Sequence, residues 1–219
     1  MGFGRHYIHP DILSGRVSLL ETRISPIESL IIASAHRKLI LWAGEKHSGK
    51  TTTAARLVKT ARDRGFRVAG LLAPALYDDS ALTGFDVVDL QSRQRAPLAR
   101  HNESGGATGR FEFLAEGLRL GNVSLSPAST NSADLVVVDE FGPLEMNCQG
   151  WRPAVDLLLQ SSKAVILLVV RRRLAEQVRR LYGNFANVRL AAAGPESIDT
   201  VISILEGCRQ QVRRQNGET

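Results

Sequence analysis

From position 38 onward, short apolar runs alternate with stretches whose apolar residues recur every three or four positions. Strands exchanging with amphipathic helices leave this signature. Residues 39–43 read as a strand and 51–64 as a helix. In that helix Ala54, Ala55, Leu57, Val58 and Ala61 form the buried stripe, and Lys59, Arg62 and Arg64 the wet face. Residues 67–73 form the next strand. Residues 84–90 have strand character, and 95–98 and 110–114 pair near them as a small antiparallel insertion over about 76–115. A weak helix is expected at 118–132. The nearly continuous apolar run 134–139 suits a strand in the middle of a parallel sheet. A helix at 151–160, a strand at 163–170, a helix at 174–182 and a strand at 187–191 follow. The last helix, 196–211, carries Ile198, Val201, Ile202 and Leu205 on one face. Such alternation predicts an α/β fold with a mostly parallel sheet covered on both faces.

This domain is expected to span 38–219. Residues 1–37 read as an N-terminal extension, weakly patterned to position 23. Ser25-Pro26-Ile27-Glu28 then offers a cap, a proline suited to the first turn and an acid that reaches back. A short helix to about Ala35 would put Ile27, Leu30 and Ile31 on one face.

The chemistry enters between the first strand and the first helix. Gly44-Glu45-Lys46-His47-Ser48-Gly49-Lys50-Thr51 fits GxxxxGK[ST], in the strand-to-helix context that the motif requires. Glycines let backbone N–H groups converge on a polyphosphate, and the new helix adds unpaired N–H groups and the positive end of its dipole. Lys50 is expected to span the β- and γ-phosphates, Thr51 to bind Mg²⁺ through its hydroxyl, and Thr52 to reach the α-phosphate. Farther along, Leu135-Val136-Val137-Val138-Asp139-Glu140 is an apolar strand ending in two acids. Asp139 is expected to hold the magnesium through a water and Glu140 to orient or deprotonate the attacking water. The acid pair favours hydrolysis over transfer to an acceptor. No Asn-Lys-x-Asp signature demands GTP.

Arg171-Arg172-Arg173 follow a predicted strand directly, at the end that faces ligands in open α/β sheets. One of them is a candidate cis arginine for charge on the γ-phosphoryl group, Arg171 foremost, beside a plain solvated helix start. The loop Ala191-Ala192-Ala193-Gly194-Pro195 lacks polar side chains, which suits backbone contact with a base and loose base selectivity.

Composition narrows the surroundings. Apolar residues make up 43% of 219, and no run approaches the roughly 20 that a membrane helix needs. Arg5, His6, Asp11 and Arg16 break up any leader-like segment, so a cytoplasmic location is expected. Cys148 and Cys208 form no CxxC pair and read as reduced thiols, and the five histidines lack metal-ligand spacing. The net charge of +6 admits a polyanionic partner, but only 5 of the 28 basic residues are lysines and no tail concentrates them. A phosphate-rich small substrate uses the same charge, and nucleic acid is not the expected partner.

Taken together, the residues resemble the THEP1-type nucleoside triphosphatases, which include the cancer-related NTPase of animals. The likeness rests on LILWAGEKHSGKTT, RVAGLLAP, GFDVVDL and above all VVVDEFGPLE, and covers roughly 38–207. It implies a RecA-like α/β domain and slow, Mg²⁺-dependent hydrolysis of several triphosphates. It places Lys50 and Thr51 at the phosphate and metal positions, Asp139 and Glu140 at the acid pair, and Glu145 at a further acid. Lys46, His47 and Ser48 stand where the family's loop usually carries Pro and another Gly, which stiffens the loop and brings Glu45 or His47 toward the phosphates. Leu82 stands where the family often has Arg. Two rival readings stay open. One is a small nucleotide or metabolite kinase with 171–180 as an acceptor clamp. The other is a nucleotide-gated module whose protein partner binds around 76–115 or at the N-terminal helix.

Overall fold

The structure, a computed structural model, describes residues 38–106, 109–183, 187–215 and 217, with 103–106, 109, 110, 187 and 190 described by their backbone alone. The expected extension and its helix lie outside the described residues. In chain order the elements are β1 (Lys38–Gly44), α1 (Lys50–Asp63), β2 (Val68–Leu72), β3 (Ala75–Asp78), β4 (Ala81–Asp89), β5 (Arg95–Gly106) and β6 (Gly109–Phe113). Then come α2 (Ala115–Ser124), α3 (Pro127–Thr130), β7 (Leu135–Phe141), α4 (Pro143–Met146), α5 (Arg152–Ser161), β8 (Val165–Arg171), α6 (Arg172–Tyr182), β9 (Asn187–Ala192) and α7 (Glu196–Gln215).

One sheet runs β6-β5-β4-β2-β7-β8-β1-β9, with β3 paired to β4. Strands β2, β7, β8, β1 and β9 are parallel, so their carboxyl ends share one edge of the sheet. The runs Leu39–Ala43, Leu135–Val138 and Val165–Val170 of the central strands are apolar at every position because both faces are covered. On one face Ile40, Trp42, Val137, Leu167 and Val169 pack with Leu57 and Val58 of α1 and Val201 and Leu205 of α7. On the other, Leu39, Leu41, Val138 and Leu168 pack with Val155 and Leu158 of α5 and Val178 of α6. The period of two along each strand thus divides its side chains between two cores.

The antiparallel insertion occupies Ala75–Phe113, with strands longer than the sequence pattern implied, and it extends the main sheet. β4 pairs with β2 at Leu71–Asp89 and Leu72–Val88, and β5 continues past Leu98 into polar residues that carry no strand alternation. Asp86 holds this region together by accepting from Arg95 at 2.5 Å and Arg100 at 2.6 Å. The weak helix expected at 118–132 is two helices. Ser126 breaks them, its Oγ accepting from Ser129 N at 3.4 Å with Pro127 opening the second. Among the described residues no helix is long and apolar enough to cross a membrane.

Gly70 sets how tightly β2 lies on β7. Its φ is +99°, and a Cβ added there would sit 2.1 Å from the Val137 carbonyl oxygen. Gly70→Ala must move backbone in the middle of the sheet and is predicted to cost about 3 kcal/mol or more. Urea unfolding should read this as a lowered midpoint with unchanged slope.

Candidate active site

The first strand ends at Gly44 and the chain turns through 45–49 into α1, whose N-cap Gly49 is left-handed (φ 75°, ψ 21°). The first turn of α1 holds no acid, so nothing on the helix neutralises its positive end. The Glu45 carbonyl organises the turn. It accepts from Ser48 N at 3.4 Å, Ser48 Oγ at 2.9 Å and Lys50 Nζ at 2.7 Å. That bond holds the buried Lys50 ammonium against the loop with one of its three donors, leaving two for phosphate oxygens. His47 adopts φ +61°, a conformation that glycine takes freely and other residues at some cost. Its Nδ1 lies 3.4 Å from the hydroxyl of Tyr77 on β3.

Across the cleft, the register between β7 and β8 slips between Val138 and Phe141. Within that slip Glu140 takes φ +63°, a left-handed residue directly after Asp139. The irregularity separates the fates of the two acids. Asp139 stays fully buried, whereas Glu140 reaches a cavity of about 290 Å³ whose walls include Lys46, His47, Ser48, Gly49, Lys50, Thr51 and Thr52. Because β8 lies between β1 and β7, its last residue also belongs here. Arg171 is in register with Gly44, lines the same cavity and stands 3.8 Å from the Glu140 carboxylate.

Asp139 Oδ2 accepts from Ala73 N at 3.1 Å, and Oδ1 is buried with no hydrogen-bond partner. Burial, then the nearby Glu140 charge, push its carboxyl up to about 7, against the Ala73 N–H, the Thr51 hydroxyl and the Lys50 ammonium, which favour the anion. An orphaned buried carboxylate oxygen beside a hydroxyl fits a divalent cation, and one carboxylate supplemented by substrate phosphates and water is the usual Mg²⁺ mode. Asp139 and Thr51 are the residues that would hold it.

Glu145, the further acid of the resemblance, is buried and turned to the backbone, accepting from Gly142 N at 2.8 Å and Trp151 N at 3.2 Å. It ties down the loop after β7, and its burial raises its pKa. The three arginines part company. Arg171 faces Glu140, Arg172 pairs with Glu45 at 3.0 Å in solvent, and exposed Arg173 lines neither this cavity nor the one beside it. Tyr77 of β3 and Phe85 of β4 also line the larger cavity. The sequence pattern did not single out Tyr77, since β3 is short and carries no alternation of its own, and it marked Phe85 only as part of a strand. The loop after β9 joins β1 through Ala193 N to Ala43 O at 2.8 Å, and the Trp42 indole donates to Ala192 O at 2.6 Å.

Residues 39–199 match the family described as NTPase. The chain is 29% identical over 167 residues to the nucleoside-triphosphatase THEP1 of Methanothermobacter thermautotrophicus, covering 74% of this chain and 90% of that protein. It is 30% identical over 139 residues to the THEP1 of Archaeoglobus fulgidus, covering 63% and 81%. In fold it is similar to the solution structure of a human cancer-related nucleoside triphosphatase, at TM-score 0.59 and 22% identity over 80% of this chain and 98% of that one. It is also similar to crystalline THEP1 from Aquifex aeolicus, at TM-score 0.58 and 17% identity over 77% and 99%.

The buried carboxylate generates a stability prediction. Its folded pKa, about 7, lies above the ordinary value of 3.8, so the folded state binds this proton more tightly than the unfolded chain. The anion's burial therefore costs stability increasingly as pH rises between those values, and by a constant amount above them. In chelator and without nucleotide, Asp139→Asn is predicted to raise the thermal midpoint. The gain should be small near pH 4, grow to a few kcal/mol by pH 7 and stay level beyond.

Proposed function

The chain belongs to the NTPase family, and from that premise we propose that it cleaves the β–γ phosphoanhydride of ATP, GTP and related triphosphates with Mg²⁺. One observation carries this reading: Glu140 and Arg171 line the same cavity as Lys50, Thr51 and Thr52, brought there by the slip in β7 and by the end of β8. The loop amides and Lys50 bind the phosphate oxygens, which replace or share the Glu45 carbonyl now bonded to Nζ. Thr51 and Asp139 would hold Mg²⁺, which would supply positive charge against the negative charge of the transferring phosphoryl group. Glu140 accepts the proton of the attacking water as its oxygen meets the γ-phosphorus.

Arg171 is our choice of cis arginine. Its pairing with Glu140 is long and both side chains are partly exposed, so the guanidinium is free to swing to the γ-phosphoryl oxygens at little cost. His47 and Tyr77 close the cavity's outer side. The loop after β9 presents no polar side chain from Ala191 to Pro195, which favours loose base selectivity and turnover of several nucleotides.

Phosphate release with Mg²⁺ and each of ATP, GTP, CTP and UTP tests this reading. Several are predicted to turn over. Glu140→Gln should lower kcat by about 100-fold or more while nucleotide still binds. Arg171→Ala should lower kcat by about 10-fold or more with little change in KM. Lys50→Ala should lose nucleotide affinity. Wild-type turnover by Glu140→Gln, together with normal nucleotide binding by Lys50→Ala, would contradict the assignment.

A further inference from the structure

A second cavity, of about 90 Å³, opens on the other side of Glu140 and Arg171. Its walls are apolar and rich in rings, formed by Phe85 of β4, Leu98 of β5, Phe113 of β6, Leu118 of α2 and Trp151 ahead of α5. Ala73, Phe85, Glu140 and Arg171 line this cavity and the phosphate cavity alike. The two spaces therefore share a boundary, and the boundary carries the charged pair. Glu145 also borders the apolar side, but its carboxylate is bonded to the backbone N–H groups of Gly142 and Trp151. Glu140 thus stands between the cavity beside the phosphate loop and a largely apolar, ring-lined recess.

The recess limits its occupant. Its volume is about three waters' share of the liquid, room for one small ring. Its walls offer flat apolar contact and no partner for a second charge, so the ligand is neutral apart from the groups it presents to Glu140 and Arg171. Of the segment 171–180 expected as an acceptor clamp, only Arg171 lines the two cavities. Arg179 and Arg180 pair with Glu176 in solvent and line neither cavity.

We propose that the recess seats a small, neutral ring compound bearing a hydroxyl group, and that the protein transfers the γ-phosphoryl group to it. The proposal rests on the hydrolytic reading of Glu140. The hydroxyl oxygen forms a bond to the γ-phosphorus as the bond from that phosphorus to the β–γ bridging oxygen breaks. The hydroxyl proton passes to the Glu140 carboxylate, and the nucleoside diphosphate leaves with the electron pair. Hydrolysis is the same step with water in place of the alcohol.

Benzyl alcohol and cyclohexanol are suitable probes, added at tens of millimolar to the full chain with Mg²⁺ and ATP. Phosphorus NMR then separates a phosphate monoester from inorganic phosphate. An ester is expected, with a matching fall in phosphate release and a change in tryptophan fluorescence from Trp151. Leu118→Trp, which fills the recess, should cut ester formation about tenfold or more and leave phosphate release without alcohol near wild type. Should that variant fold poorly, Phe113→Ala at the partly exposed rim is the alternative, and it should shift ester formation toward the larger 2-naphthalenemethanol. Phosphate release that continues with no ester, no inhibition and no fluorescence change would overturn the recess as an acceptor site and leave the hydrolytic reading standing. Ester formation indifferent to both substitutions would overturn it as well. A wild-type protein that binds ATP but yields neither phosphate nor ester would defeat the hydrolytic reading, and the proposal with it.

Discussion

A carboxylate with no access to solvent lies at the end of the strand that follows the insertion, and the rest of the site is arranged around it. Asp139 has one oxygen on the Ala73 N–H and the other on nothing. An isolated buried anion is strongly disfavoured, so such a group either keeps a proton or meets a cation. Lys50 supplies part of the compensation through space, and the Thr51 hydroxyl adds to it. The Lys50 ammonium is itself positioned by the Glu45 carbonyl. The phosphate loop and the acid strand are therefore one electrostatic unit although β8 separates them in the sheet.

That separation decides who takes part. With β8 between β1 and β7, Arg171 ends up in register with Gly44 and beside Glu140. Were β7 adjacent to β1, no strand end would lie between loop and acids. Backbone strain sharpens the arrangement. His47 and Glu140 both hold left-handed conformations, each at a cost of about 1–2 kcal/mol, on opposite walls of one cavity. At Glu140 the strain has an evident use, since it turns one acid into the cleft while its neighbour stays buried.

Much of this was legible in the sequence because it rests on local rules. The turn from Gly44 into a helix at Lys50 was legible from the glycines, the lysine and the position between strand and helix, the pattern expected of a phosphate-binding loop. The run 135–138 is apolar on both faces because the strand is covered on both faces. What escaped reading depends on contacts distant in sequence. Nothing near Glu140 announces a positive φ, because it follows from the slip against β8. What sets Arg171 apart from Arg172 and Arg173 in space is where β8 stops, with Arg171 ending the strand and Arg172 opening the helix. The recess beside Glu140 joins β4, β5, β6, α2 and the segment after β7, which only the assembled sheet brings together. Strand β3 was missed because Ala75–Asp78 is short and lies half in solvent.

The central claim is that Glu140 directs water onto the γ-phosphorus of a triphosphate bound by the loop and Lys50, with Thr51 and Asp139 as the residues that would hold its Mg²⁺. Turnover of ATP in water enriched in heavy oxygen, with both products weighed by mass spectrometry, tests it most directly. The account predicts one heavy oxygen in each released phosphate and none in the nucleoside diphosphate. Heavy oxygen in the diphosphate, or products cleaved at the α–β linkage, would contradict it.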